Sequence, residues 1–227
     1  MTDREKELLR CKYGHSKILL ALHFIGHQIK SFYHPSTLPK KLIISGKNNV
    51  IPYIPCGCDI EVCGDNNQVE IDSSIKNWQG KIVVGDLQGP VNNCCVRIGP
   101  NSTSNGCSLI LYEDNSSIVI GKNCMFACNV SIMATDSHTI YDVKTKKLQN
   151  WGKEIVISDN VWLAMDCTIL KNSFIAKNCV VGASAVVSGK FREENCVIAG
   201  NPAKVVKRGV AWDRRRPKEY IKEYPMN

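Results

Sequence analysis

The chain has 227 residues, a formal charge of +8, 44% hydrophobic residues, 12 cysteines and 5 histidines. Its length fits one or two domains and its apolar share is that of an ordinary water-facing globular protein. No run reaches the ~18 uninterrupted apolar residues of a membrane span, and the alternating acids and bases of MTDREKELLRCK fit neither a signal nor a transit peptide. A cytoplasmic protein is expected.

Residues 1–41 are predicted to form a separate cap. Ser16 can N-cap a helix running to about Phe32, with Ile18, Leu22, Ile25 and Ile29 on one face. The stretches ISGKNNVI, IEVCGDNNQVEID and LILYEDNSSIVIG each pair aliphatics around a Gly, Asn or Asp turn. They read as wide, loose coils of a solenoid that begins near Leu42.

From Ile120 the rhythm tightens to six, in IGKNCM and FACNVS. It resumes from Ile157 as ISDNVW, LAMDCT, ILKNSF, IAKNCV, VGASAV and VSGKFR. A period of six suits neither a 3.6-residue helix nor an alternating hairpin strand. It suits triangular coils with one short strand per side. Each leading aliphatic then points inward, the fourth residue after it is small, and Asn160, Asn172 and Asn178 fall where the chain turns. Cys124, Cys167 and Cys179 take the small inward position and are expected as reduced thiols. PCGCD and NNCCV lack the spacing of a zinc site, so no metal is expected.

The rhythm breaks between residues 133 and 154, a predicted extruded loop holding His138. Beyond residue 208 lies a basic tail. Residues 204–227 carry eight basic and three acidic side chains and so supply +5 of the total charge. Such a tail is either a solvated face or a site for phosphates or an acidic polymer. Nothing in it resembles a nucleic-acid-binding motif.

The segments DSHTIYD, ISDNVWLAMDCTILKN, VVGASAVVSG and VIAGNPAKVVK, in this order and spacing, resemble the left-handed β-helix (hexapeptide-repeat) acyltransferases, above all the sugar and polysaccharide O-acetyltransferases. The resemblance is strong over residues 118–208 and weaker over 42–117. It implies an all-β solenoid, a left-handed parallel β-helix over residues 42–208 with the small helical cap and the extruded catalytic loop. It also implies a homotrimer using acetyl-CoA to acetylate a hydroxyl of a capsular or lipopolysaccharide sugar, an anionic one if the tail takes part.

By the same resemblance His138 is the general base, and Trp162 stands at the family's spacing from it in the next regular coil. The backbone N–H of Met165 is the oxyanion donor. The relatives' "WIG" is WLAM here, so Ala164 and Met165 narrow the channel. Ala183 and Ser188 are expected along the pantetheine arm, and Lys204 and Lys207 at the phosphates. Asp136 is a candidate orienter of the imidazole, a ligand of the acceptor sugar, or a group that stabilises the turn; Tyr141 and Asp142 either contact the acceptor or shape the loop. Cys128 and Cys167 fall at repeat positions, which favours direct transfer over a covalent relay.

Three other readings have distinct requirements. An N-acetyltransferase of an amino sugar, nucleotide sugar or antibiotic would use amine acceptors. A carbonic anhydrase on the same solenoid needs three histidine ligands, whereas the repeat offers only His138. A non-catalytic scaffold would transfer no acetyl group.

Overall fold

A computed structural model describes residues 41–226; the predicted cap, with its helix from Ser16 and its four histidines, lies outside the described residues. From Leu42 the chain winds into a three-sided prism of parallel strands. The first side stacks β1 (Leu42–Ser45), β2 (Cys56–Cys63), β4 (Asn77–Val84), β6 (Thr103–Leu111), β9 (Val130–Met133), β12 (Thr168–Leu170) and β15 (Val186–Val187). The second side stacks β3 (Gln68–Ile71), β5 (Cys95–Ile98), β7 (Ser117–Ile120), β10 (Glu154–Ile157), β13 (Phe174–Ile175) and β16 (Lys190–Phe191). On the third, β8 (Met125–Phe126), β11 (Trp162–Leu163), β14 (Val180–Val181) and β17 (Cys196–Gly200) follow one another, and β18 (Ala203–Arg208) closes the sheet as its antiparallel edge. Strand β6 turns a corner, its start pairing with β8 and its end with β9.

The register explains the hexads. Val156 pairs with Phe174, Trp162 with Val180 and Thr168 with Val186, so one regular coil takes three hexads, one for each side. Each inward side chain therefore lands on its own kind in the next coil. Ile60, Ile82, Leu109, Ile132, Ile169 and Val187 form one such ladder, and Ile71, Ile98, Ile120, Ile157 and Ile175 another. These residues are almost wholly excluded from water, each rung contributing roughly 1.5–3 kcal/mol of apolar burial.

The residue four places after the leading aliphatic behaves as expected in five of the six hexads: Val161, Cys167, Ser173, Cys179 and Ala185 are all fully buried, while Phe191 in the last is half-buried. Asn160, Asn172 and Asn178 turn the corners with φ of 56°, 61° and 60°. Asp166 and Ser184 occupy the same slot in the left-handed conformation. Only a short polar side chain, or none, tolerates this backbone at low cost.

The earlier coils are wider, as their looser pattern suggested. The steps from Ile82 to Leu109 and from Val69 to Val96 are each half as long again as a regular coil. The extra width admits aromatic rings, and Trp78 and Phe126 meet edge to face at 5.5 Å, both buried. Where the coils press closest, side chains vanish: Gly64 has φ 116°, and a Cβ there would collide with the Val91 carbonyl oxygen. Trp78→Ala should empty the widest part of the core and lower the unfolding free energy by about 3–5 kcal/mol, measurable by urea denaturation.

Candidate active site

Between Met133 and Glu154 the chain leaves the prism. Strands β7 and β10, stacked neighbours, pair Ser117 with Glu154, a step more than twice that of a regular coil. The excess is the extruded loop, and its neck is held by polar contacts rather than by the apolar ladders. Thr135, nearly fully buried, donates from Oγ1 to Glu113 Oε1 at 2.8 Å and accepts from the Ser137 N–H at 2.7 Å. Across the neck Gly152 lies so near that a Cβ would collide with the Ala134 carbonyl oxygen.

Asn150 joins the two arms of the loop. Its Nδ2 donates to the His138 carbonyl at 2.8 Å and to Asp136 Oδ2 at 2.9 Å, while its Oδ1 accepts from the Ile140 N–H at 2.9 Å. Lys171, from the following coil, pairs with Asp136 and donates to the Asn150 carbonyl at 2.8 Å. Hydrogen bonding to Lys171 holds the Asp136 carboxyl below the usual carboxylate range. The Asp136 carbonyl accepts from the His138 N–H at 2.7 Å, but its carboxylate is engaged by Lys171 and Asn150, not by the imidazole. Ser137, just before His138, is left-handed at φ 62°.

His138 is exposed and lines a cleft of about 310 Å³ with Ser137, Tyr112, Glu113, Asn150 and Trp151. Glu113 stands out chemically. Its Oε2 is buried without a hydrogen-bond partner among the described residues, and burial raises its carboxyl above the ordinary range against the opposing pull of Thr135 and Lys171. The hexad pattern said nothing of Glu113, Asn150 or Lys171. Only the fold brings residues 113, 150 and 171 to one neck.

The remaining predicted positions lie elsewhere. Asp142 accepts from the Thr145 N–H and Oγ1 at 2.7 and 2.8 Å and so builds the loop tip, where Lys146 sits 5.0 Å over the Tyr141 ring. Neither Tyr141 nor Asp142 lines the His138 cleft. Trp162 and Lys207 share a different cleft, of about 740 Å³, on the third side, with Val180, Val197 and Trp212. Met165 is exposed at the turn that follows β11, its N–H meeting no acceptor among the described residues. Ala164, before it, is half-buried and donates its N–H to the Val181 carbonyl. Ala183 stands one coil above Met165; it, Ser188 and Lys204 are exposed. Within one chain, then, His138 and Trp162 occupy different clefts at different edges of the prism.

Of the two cysteines weighed as a covalent relay, Cys128 is exposed on the prism and lines no part of the His138 cleft. Cys167 is fully buried and burial pushes its thiol up to about 12. Among the described residues no cluster of three or more His, Cys, Asp or Glu side chains is arranged to hold a metal, and no helix is long and apolar enough to cross a membrane.

The chain is 34% identical over 180 residues to the polysialic acid O-acetyltransferase of Neisseria meningitidis, a match covering 77% of this chain and 80% of that protein. A second relative, the polysialic acid O-acetyltransferase of Escherichia coli O1:K1 / APEC, is 34% identical over 121 residues, which is 53% of this chain and 39% of the relative's length. Among solved structures, the polySia-specific acetyltransferase NeuO superposes with a TM-score of 0.63 at 28% identity, over 81% of this chain and 82% of that one. The polysialic acid O-acetyltransferase OatWY superposes with a TM-score of 0.57 at 26% identity, over 80% and 97%. These neighbours are left-handed β-helices, and the prism described above is one too. No protein-family model matches the chain.

The half-buried Glu113, with its buried Oε2, has a measurable signature. Because its folded pKa lies above the ordinary 4.5, its contribution to stability is complete below that pH and is lost as pH rises through the folded value. Glu113→Gln should therefore gain on the wild type as pH is raised from about 4 to about 8, measured as the difference in urea unfolding free energy.

Proposed function

Because the chain belongs to the left-handed β-helix (hexapeptide-repeat) acyltransferases, on their sugar O-acetyltransferase branch, we propose that it transfers an acetyl group from acetyl-CoA to a hydroxyl of a sugar in a capsular or lipopolysaccharide glycan. The observation that carries this reading is the loop. The regular prism is interrupted by an insertion as long as a whole coil, which holds His138 out at a cleft on a hydrogen-bonded neck. A scaffold has no use for such a neck; a base that must meet a substrate hydroxyl does.

The transfer needs few groups. As the sugar oxygen bonds to the acetyl carbon, His138 takes the hydroxyl proton. The carbon–sulfur bond breaks, and the proton passes from the imidazolium to the departing thiolate. The Met165 N–H, free of an acceptor among the described residues, offers a donor to the carbonyl oxygen as charge builds there. The cleft that holds Trp162 suits the acetyl-CoA arm: Val180, Val197, Val210 and Ala211 give it apolar walls, and Lys207 adds a cation for a phosphate. Asp136, locked to Lys171, acts in this reading by fixing the loop rather than by orienting the imidazole.

Because His138 and Trp162 stand at different edges of one chain, the working site is composed from two copies, the loop of one reaching the Trp162 edge of the next. The loop arm suits that contact, since Ile140, Tyr141, Val143, Leu148 and Trp151 all expose large apolar surface. A closed trimer satisfies such a head-to-tail contact three times over. The relatives named above act on polysialic acid, which makes an anionic glycan the first acceptor to try. A cytoplasmic location accords with acetyl-CoA as donor and with free thiols at every described cysteine.

His138→Ala should lower acetyl transfer by about 10²–10⁴-fold while acetyl-CoA still binds. The check combines labelled acetyl transfer to hydroxyl and to amine acceptors with calorimetric titration of acetyl-CoA. Undiminished transfer by the variant, or transfer to amines alone, would overturn the reading.

A further inference from the structure

The basic tail is not a loose polycation. After β18 the chain turns at Gly209 (φ 65°) and runs back along one edge of the prism, before a short helix α1 (Pro217–Glu223). That edge is a stack of left-handed corner residues, Asn101, Asn123, Asn160, Asn178 and Asn195. Coil-to-coil bonding uses their N–H groups, but within the described residues it leaves the carbonyls of Asn101, Asn123, Asn160 and Asn195 without a partner from the prism. The returning segment supplies the donors.

The Val210 N–H donates to the Asn195 carbonyl at 2.9 Å, and Trp212 Nε1 to the Asn160 carbonyl at 2.7 Å. Arg214 reaches four acceptors at once: the carbonyls of Asn101, Asn123 and Cys124, at 3.1, 3.2 and 2.8 Å, and Thr103 Oγ1 at 2.8 Å. Its guanidinium also stands 5.7 Å from the centre of the Trp212 ring. Three residues in alternation thus tie the last coil to the much earlier coils that pass through Asn101 and Asn123. Arg215, meanwhile, is committed to Asp213 and Glu223 at 2.9 and 2.6 Å.

What this strap holds is Trp162. Trp212 meets Trp162 at 6.1 Å between ring centres, tilted by 46°, and its N–H is anchored just before Trp162, at Asn160. Beyond this tilted pair, Val210, Ala211, Arg215, Tyr220 and Ile221 form the outer wall of the cleft in which Trp162 stands. The inner wall is the third side of the prism itself.

We propose that residues 210–214 are a positioning strap for the transfer site, in which Trp212 fixes the ring of Trp162 and the tail walls its cleft. This rests on the acetyl-transfer reading above. Trp212 acts through Trp162, so the two should not contribute independently. Arg214 keeps Trp212 in place by holding the end of the strap across the lower coils.

A double-mutant cycle tests the assignment, with kinetics and circular dichroism read on the same full-length samples. Trp162→Ala and Trp212→Ala should each lower kcat/KM for acetyl-CoA about tenfold, and the double variant should be no slower than Trp162→Ala alone. Trp212→Phe keeps an aromatic ring but loses the N–H donor, and should fall between wild type and Trp212→Ala. If Trp212→Ala does not fold, this variant, Trp162→Ala and their combination complete the cycle. Two indoles at this distance and tilt should give an exciton couplet in the wild type that either alanine variant abolishes. Losses that multiply in the double variant, full activity in Trp212→Ala, or a wild type without the couplet would overturn the proposal. If the wild type transfers no acetyl group but shows the couplet, the functional reading fails while the strap stands.

Discussion

Everything in this molecule depends on the three-hexad register between coils. In a parallel β-helix the sheets that face one another across the core are sides of the same coil. Its core is made of rows in which each inward side chain rests on its counterpart one coil away. The rows stay in line only if each corner consumes a fixed length of chain. Short side chains in the left-handed conformation, at Asn160, Asp166, Asn172, Asn178 and Ser184, keep that length constant. A slip of one residue would turn an aliphatic row outward along a whole side. The coils from Ile157 onward are consequently uniform, and whatever is specific about them has to be added outside the rows.

Two additions do this, by different physics. The loop between β9 and β10 leaves the prism without disturbing the rows, because Ser117 and Glu154 still pair across the gap. Its neck cannot be apolar where it meets solvent, so it is built from Thr135, Asp136, Asn150 and Lys171, each using its polar atoms on another part of the neck. One carboxylate oxygen, on Glu113, is left over at the floor of the His138 cleft. A buried polar atom that lacks a partner costs stability, and here that atom lies beside the one described histidine.

The second addition, the returning tail, shows how little a formal charge says before pairing is known. Eight basic residues against three acidic ones looked like a surface for a polyanion. In the fold Arg214 is spent on backbone carbonyls and Thr103, and Arg215 on two carboxylates. Lys207 remains at the cleft that holds Trp162. The segment ties coils together, and Arg214 and Arg215 serve in it as hydrogen-bond donors of fixed geometry.

The repeat made the prism legible because a period of six is a local signal, and coil stacking merely multiplies it. The burial of Ile157, Leu163, Ile169, Ile175, Val181 and Val187 could be read from spacing alone, as could the asparagine corners and the place where the loop departs. The residues around His138 could not. No repeat or motif position links Glu113, Asn150 and Lys171 to one another, and they meet only because one chain passes the same edge on successive coils. Nor could spacing reveal that His138 and Trp162 line different clefts of one chain, or that Trp212 would return to pack at a tilt against Trp162. Sequence determines what recurs at short range; contacts between distant segments are decided by how far the closed coils have turned when each segment arrives.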